Sequence, residues 1–136
     1  MADELWKLRE FHEEDRNFIL ATWLRSLRRS PVYTFLPNRV FFKHLEPQLW
    51  KLIASGEMAV ACAADEPEHI LGWACGGAGF LHYAYVKRPY RRLGVAKRMV
   101  EALRLTEPVR MTFWVRTSES FGSRLRFKPS LIVWST

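Results

Sequence analysis

The chain has 136 residues, 49% of them hydrophobic, and a net charge of +7. That length suits one domain with one core, and the apolar share argues against a disordered chain. No apolar run is long enough to span a membrane, and two cysteines, Cys62 and Cys75, are too few for a disulfide-framed secreted domain.

The opening MADELWKLREFHEED is acidic and has no signal-peptide core, so the expected location is a reducing cytoplasm. Leu5 to Arg9 reads as a first strand. Glu13 or Asp15 opens a helix with an apolar face of Phe18, Ile19, Trp23, Leu24 and Leu27. Arg25, Arg28 and Arg29 suit the dipole at its end, and Ser30-Pro31 stops it. Pro31 to Pro37 (PVYTFLP) is an aromatic loop. Asn38 caps a second helix with Val40, Phe41, His44 and Leu45 inward. His44 there reads as a core or rim histidine rather than a ligand. Pro47 kinks or restarts the helix, Leu49, Trp50, Leu52 and Ile53 continue its face, and Gly56 ends it.

Met58 to Ala64 is a buried strand, Asp65 to Glu68 a turn, and Ile70 to Cys75 the hairpin partner. Gly76, Gly77 and Gly79 turn the chain into the strand Phe80 to Val86. Alternation there puts Phe80, His82, Ala84 and Val86 on one face and Leu81, Tyr83 and Tyr85 on the other. A helix follows from about Leu93 to Leu105. Its faces separate into Ala96, Met99, Val100 and Leu103 against Lys97, Arg98, Glu101 and Arg104. Val109 to Val115 is a further strand, Ser118 to Arg126 a helical turn or two, and Leu131 to Trp134 the last strand. The fold class is α/β (α+β), in the order β-α-α-β-β-β-α-β-α-β. The apolar last strand is a candidate sheet edge, and so a candidate homodimer seam.

The stretch Tyr85 to Leu103 (YVKRPYRRLGVAKRMVEAL) organises the rest. A strand crosses a basic turn into a helix at Gly94. Amides at a helix start lack internal partners and carry partial positive charge, and glycine admits a ligand to the backbone. Lys87, Arg88, Arg91, Arg92, Lys97 and Arg98 lie between positions 87 and 98 without an acidic residue among them. Together these describe an anion cradle for a phosphate or pyrophosphate.

Arg91-Arg92-Leu93-Gly94-Val95-Ala96 resembles the acyl-CoA signature of the GNAT N-acetyltransferase superfamily, Q/R-x-x-G-x-G/A. Val86, Tyr90 and Arg91 keep the family's spacing, while Pro89 sits one place later than its usual proline. The resemblance implies a mixed, mostly antiparallel sheet with helices on both faces. It implies acetyl-CoA as co-substrate, an amine of a small molecule or protein as acceptor, and no metal. Val86 would bind the pantetheine arm. Arg91, Arg92, Leu93, Gly94, Val95, Ala96 and Lys97 would wrap the pyrophosphate. Tyr33 and Phe35, on a loop that often covers the acceptor in this family, become candidate pocket residues.

Acyl transfer to an amine also needs a base and an acid. His82 is the only ordinary general base on the strand before the motif, and an unperturbed imidazole would suit the role. Glu57 or Glu119 could act through water instead. The family's acid is a tyrosine in a Y-x-x-x-G-F pattern, and Gly122 occupies that place here. Ser123, Ser118 or Ser120 is a candidate substitute, as are Tyr33, Tyr83 and Tyr85. The missing tyrosine keeps a second reading open, a GNAT-fold binding module with weak or no catalysis. The charge keeps a third, a nucleic-acid partner, although zinc-ligand spacing, a basic leucine zipper and an RNA-recognition signature are all absent.

Overall fold

The computed structural model describes residues 5–30, 33–77, 79–105, 110–111 and 128–129. Strand β1 (Trp6–Arg9) leads through a single 3-10 turn (Glu13–Asp15) into helix α1 (Arg16–Arg28). Helix α2 (Asn38–Ser55), strands β2 (Glu57–Ala63), β3 (Glu66–Gly77) and β4 (Phe80–Val86), and helix α3 (Val95–Ala102) follow. Two-residue strands β5 (Arg110–Met111) and β6 (Lys128–Pro129) complete the described elements. The sheet runs in the order β1-β2-β3-β4-β5-β6. Neighbours are antiparallel from β1 to β4 and parallel from β4 to β6. β6 was not anticipated. The expected helical turn at Ser118 to Arg126 and the expected strand at Leu131 to Trp134 lie outside the described residues, as do Glu119, Ser118, Ser120, Gly122 and Ser123.

Two apolar layers hold the sheet. On one face α1 and α2 bury Ile19, Trp23, Leu27, Phe41, Leu45 and Leu49 against Trp73, Cys75 and Tyr83. On the other, α3 buries Val95, Met99 and Val100 against Ala61, Leu71, Leu81 and Val86. Trp23 and Trp73 are fully buried with ring centroids 5.1 Å apart. Trp73 Nε1 donates to Thr22 Oγ1 at 2.9 Å, so its polar edge is satisfied inside the core.

Several expected details are corrected. The buried stripe of α2 is Phe41, Leu45, Leu49 and Ile53, at strict helical spacing, which leaves Val40 and His44 exposed. Pro37, not Asn38, occupies the N-cap. Asn38 instead accepts from Arg28 Nε at 2.9 Å. Pro47 sits inside an unbroken α2. It removes the bond to Lys43 O on the exposed side, where water can replace it. β3 begins at Glu66, inside the expected turn, because Pro67 to His69 form an irregularity that Cys62 and Ala63 span. Gly76 and Gly77 belong to β3 rather than to the turn. α3 is shorter than expected, since Arg104 turns left-handed (φ 52°) just beyond it.

The alternation expected along β4 also fails. Cys75 pairs with Tyr83 but Gly76 with Leu81, so β4 carries one extra residue at His82. Such a bulge shifts the parity of the strand. Leu81 therefore packs on the α3 face with Val86 and Ala84, while Tyr83 and Tyr85 face α1.

Candidate functional site

The site begins where β4 ends. Val86 is buried and pairs with Gly72. A Cβ on Gly72 would lie 2.6 Å from Tyr85 O, so only glycine allows the strands to approach this closely. Lys87 N donates to Leu71 O at 2.8 Å. The chain then makes one 3-10 turn, Arg88–Tyr90, for which Pro89 presets the backbone. Arg91 is extended, and its Nε donates to Val86 O at 2.8 Å. Left-handed residues follow at Arg92 (φ 68°) and Gly94 (φ 81°), the latter the N-cap of α3. A Cβ on Gly94 would meet nothing within 4 Å. Backbone conformation, not crowding by the protein, therefore favours glycine there, and the space beside it is open.

The N–H groups of Gly94, Val95, Ala96 and Lys97 donate no hydrogen bond among the described residues. They are the unsatisfied donors of a helix start, and the left-handed residues just before them curl the backbone into a concavity. Val95 is buried and anchors the turn, whereas Arg92, Leu93, Gly94 and Lys97 are exposed and Ala96 is half-buried. The basic cluster divides by role. Lys87 lies over the Phe18 ring (5.4 Å) and Arg98 over Trp6 (4.8 Å). Arg91 braces Val86. Arg92 and Lys97 remain at the helix start with no ion-pair partner among the described residues. Sequence alone did not separate these roles, because the aromatic rings involved lie far away in the chain.

His82, at the β4 bulge, is half-buried and stacks on Phe80 (6.3 Å, 16° between rings). Burial pushes its imidazole down to about 4. The expectation of an unperturbed base is therefore corrected: the ring is neutral at pH 7 and a weaker proton acceptor than a free histidine. The tyrosines named as substitute acids differ. Tyr83 is buried between Trp23 and Trp73, its hydroxyl shares a hydrogen bond with Ser26, and burial raises it. Tyr33 is buried and raised for the same reason. Tyr85 is only half-buried and stacks on Trp73. Glu57 is exposed and pairs with Gly76, itself opposite Leu81. That register sets it two strand spacings from β4, roughly 10 Å. Of the two loop aromatics, Tyr33 is in the core and Phe35 is 76% exposed.

A cleft of about 450 Å³ was not foreseen; Arg9, His12, Asp15, Phe18, His69 and Lys87 are among its lining. Arg9 and Asp15 form a two-point ion pair within it (2.8 and 2.9 Å), and Asp15 also accepts from His12 N at 2.8 Å. Burial alone would raise the Asp15 carboxyl. The hydrogen bonds from Arg9 and His12 outweigh burial and hold it below its ordinary value. Among the described residues no group of His, Cys, Asp and Glu could hold a metal, and no helix is long and apolar enough to cross a membrane. Both cysteines are buried free thiols.

No protein-family model matches the chain, and no curated protein does. Solved structures do. A GCN5-related N-acetyltransferase from Rhodopseudomonas palustris superposes over 91% of this chain and 82% of its own, with a TM-score of 0.61 at 16% identity. A possible acetyltransferase from Clostridium difficile 630 superposes over 88% and 90%, with a TM-score of 0.53 at 16% identity. Apo YjaB from Escherichia coli superposes over 74% of this chain, which spans only 65% of YjaB, with a TM-score of 0.54 at 19% identity. The fold is that of the GNAT acetyltransferases. The expected GNAT-like fold is thus found.

Proposed function

We propose that the chain binds acetyl-CoA at the start of α3 and transfers its acetyl group to an amine. The observation that carries this reading is the row of unsatisfied N–H groups from Gly94 to Lys97, beside exposed Arg92 and Lys97, at the β4–α3 junction of this fold. Such donors suit a pyrophosphate: several acceptor oxygens, two charges, and no side chain in the way at Gly94. Val86 and its neighbours would bind the pantetheine arm, and Arg91 would keep the turn in register with the strand.

Acetyl-CoA supplies the thioester: the amine nitrogen bonds to the acetyl carbon, the C–S bond breaks with its electron pair on sulfur, and nitrogen's proton balances the thiolate. The chain's part is to hold the two reactants together and to manage that proton. Positioning alone can remove several kcal/mol of barrier, on the order of 7–11 in well-oriented systems. His82 is the proposed base on β4 and Ser123 the proposed proton donor to sulfur. An imidazole at about 4 makes His82 a modest base, best matched to an amine that arrives already neutral.

That depressed basicity also favours a second reading, in which the same cradle binds acetyl-CoA with little turnover. Titration calorimetry with acetyl-CoA and a thiol-release assay over a panel of amines separate the two. Micromolar binding with thiol release supports transfer, and binding without release supports the module. No heat with acetyl-CoA would remove both.

A further inference from the structure

A second surface lies at the far end of α1. Lys87 sits over Phe18 near the start of α1, and Tyr83, further back along β4, meets Ser26 near its end. The helix therefore runs away from the cradle, and the α1–α2 connection stands apart from it. Between Arg16 and Leu45 the sequence has no Asp or Glu, yet it contains Arg25, Arg28, Arg29, Arg39 and Lys43. Arg25 on α1 and Arg29 at its C-cap are exposed one turn apart, and Arg39 and Lys43 likewise on α2. Arg28 joins the two helix ends, donating to Asn38 Oδ1 at 2.9 Å and to Tyr33 O at 2.7 Å. None of the four exposed cations has an ion-pair partner among the described residues. Close to them in sequence Phe35 (76%), Val40 (40%) and Phe42 (41%) face solvent. Single exposed apolar residues are ordinary; on α2, however, Phe42 neighbours Arg39 and Val40 neighbours Lys43 at three-residue spacing, so the apolar side chains flank the cations.

We propose that this surface docks an acidic polypeptide segment that also carries apolar side chains. Charge complementarity sets the sign of the partner. The interleaving of cations with Val40 and Phe42 over the first turns of α2 matches a chain that alternates carboxylates with apolar groups. A single-stranded nucleic acid fits less well. It needs a succession of aromatic faces for its bases, whereas Phe35 offers one, Val40 offers none, and Phe42 already meets Phe41 edge-on at 5.1 Å. An anionic membrane fits less well too. A helix lying in a bilayer surface inserts a long apolar stripe, and the stripe of α2 is spent on the core. The inference does not depend on acetyl transfer.

The test uses the full chain and a fluorescent random copolymer of glutamate and tyrosine, read by anisotropy at low salt. Binding is expected to weaken as salt rises. The double substitution Arg39→Glu with Lys43→Glu is expected to lose about tenfold or more. Phe35→Ser with Phe42→Ser is expected to lose about tenfold, with the loss absent for plain polyglutamate. Arg92→Glu with Lys97→Glu, at the cradle, should change copolymer affinity far less. All the substituted side chains are exposed, and thermal unfolding confirms that each variant folds. Equal copolymer binding by the Arg39/Lys43 variant and the parent chain would overturn the proposal. So would tighter binding, through these same residues, of an oligothymidylate or of phosphatidylserine vesicles.

Discussion

Arg91 Nε donates to the carbonyl of Val86 across 2.8 Å, so the first residue of the basic motif is tied back to the last residue of β4. The guanidinium thus serves the turn before it serves any ligand. Replacing it by alanine frees the turn and leaves a carbonyl seeking water. Arg91→Ala should weaken acetyl-CoA binding about tenfold, near the value of one hydrogen bond to a charged group. Calorimetry on Arg91→Ala and Arg91→Lys checks this, and lysine should not restore a bond that needs the planar fork.

Gly94 separates backbone strain from ligand space. With φ at 81° and nothing within 4 Å of a built Cβ, Gly94→Ala meets only the conformational penalty, about 1 kcal/mol. Gly94→Glu adds a carboxylate where phosphate oxygens are expected. Thermal unfolding should show both variants lowered slightly and equally. Acetyl-CoA should stabilise the alanine variant and leave the glutamate variant unmoved.

His82 gives the chain a dependence on mildly acidic pH. An unfolded chain protonates this imidazole as pH falls through 6.5, whereas the folded chain resists until about 4. Its contribution to stability is therefore full above 6.5 and lost as pH falls from there towards 4. Denaturant midpoints measured across that window should decline in the parent chain and decline less in His82→Gln. If His82 takes the amine proton, the acid limb of kcat/KM should fall near 4 rather than near 6.5. His82→Ala should then cost roughly a hundredfold or more in kcat.

The Arg9–Asp15 pair works in a lower window. Its side chains are 11% and 7% exposed, so the pair is largely shielded from salt. Asp15 is held below its ordinary value, so its contribution is present above about 4 and lost as pH drops below that. Asp15→Ala strands a guanidinium and should cost about 3 kcal/mol at neutral pH. Acetyl-CoA affinity, measured on the folded variant, should not change.

Much of this fold was legible because its periodicities are strong. The stripe from Ile19 to Leu27, the antiparallel pairing of β2 with β3 and the turn into α3 at Gly94 all follow the local pattern, although β3 starts inside the expected turn. What was not legible depends on partners distant in sequence. The extra residue at His82 follows from how Gly76 meets β4, where a Cβ would come 2.7 Å from Phe80 O. No alternation of apolar and polar residues within β4 could report that. The division of the basic cluster was hidden for the same reason, since Phe18 and Trp6 claim Lys87 and Arg98 across the fold. Asn38 was read as a cap because its chemistry allows it, but Arg28 reaches that side chain instead.

The bulge at His82 divides β4 into two halves of opposite parity. In a strand with an unbroken pleat, a slip by one residue exchanges inside for outside along its whole length. Here the extra residue uncouples the halves. Leu81 can be retuned against α3 while Tyr83 and Tyr85 keep their places under α1. Removing that residue would turn the Phe80–Leu81 half over to the opposite faces and leave the Tyr83–Val86 half where it is.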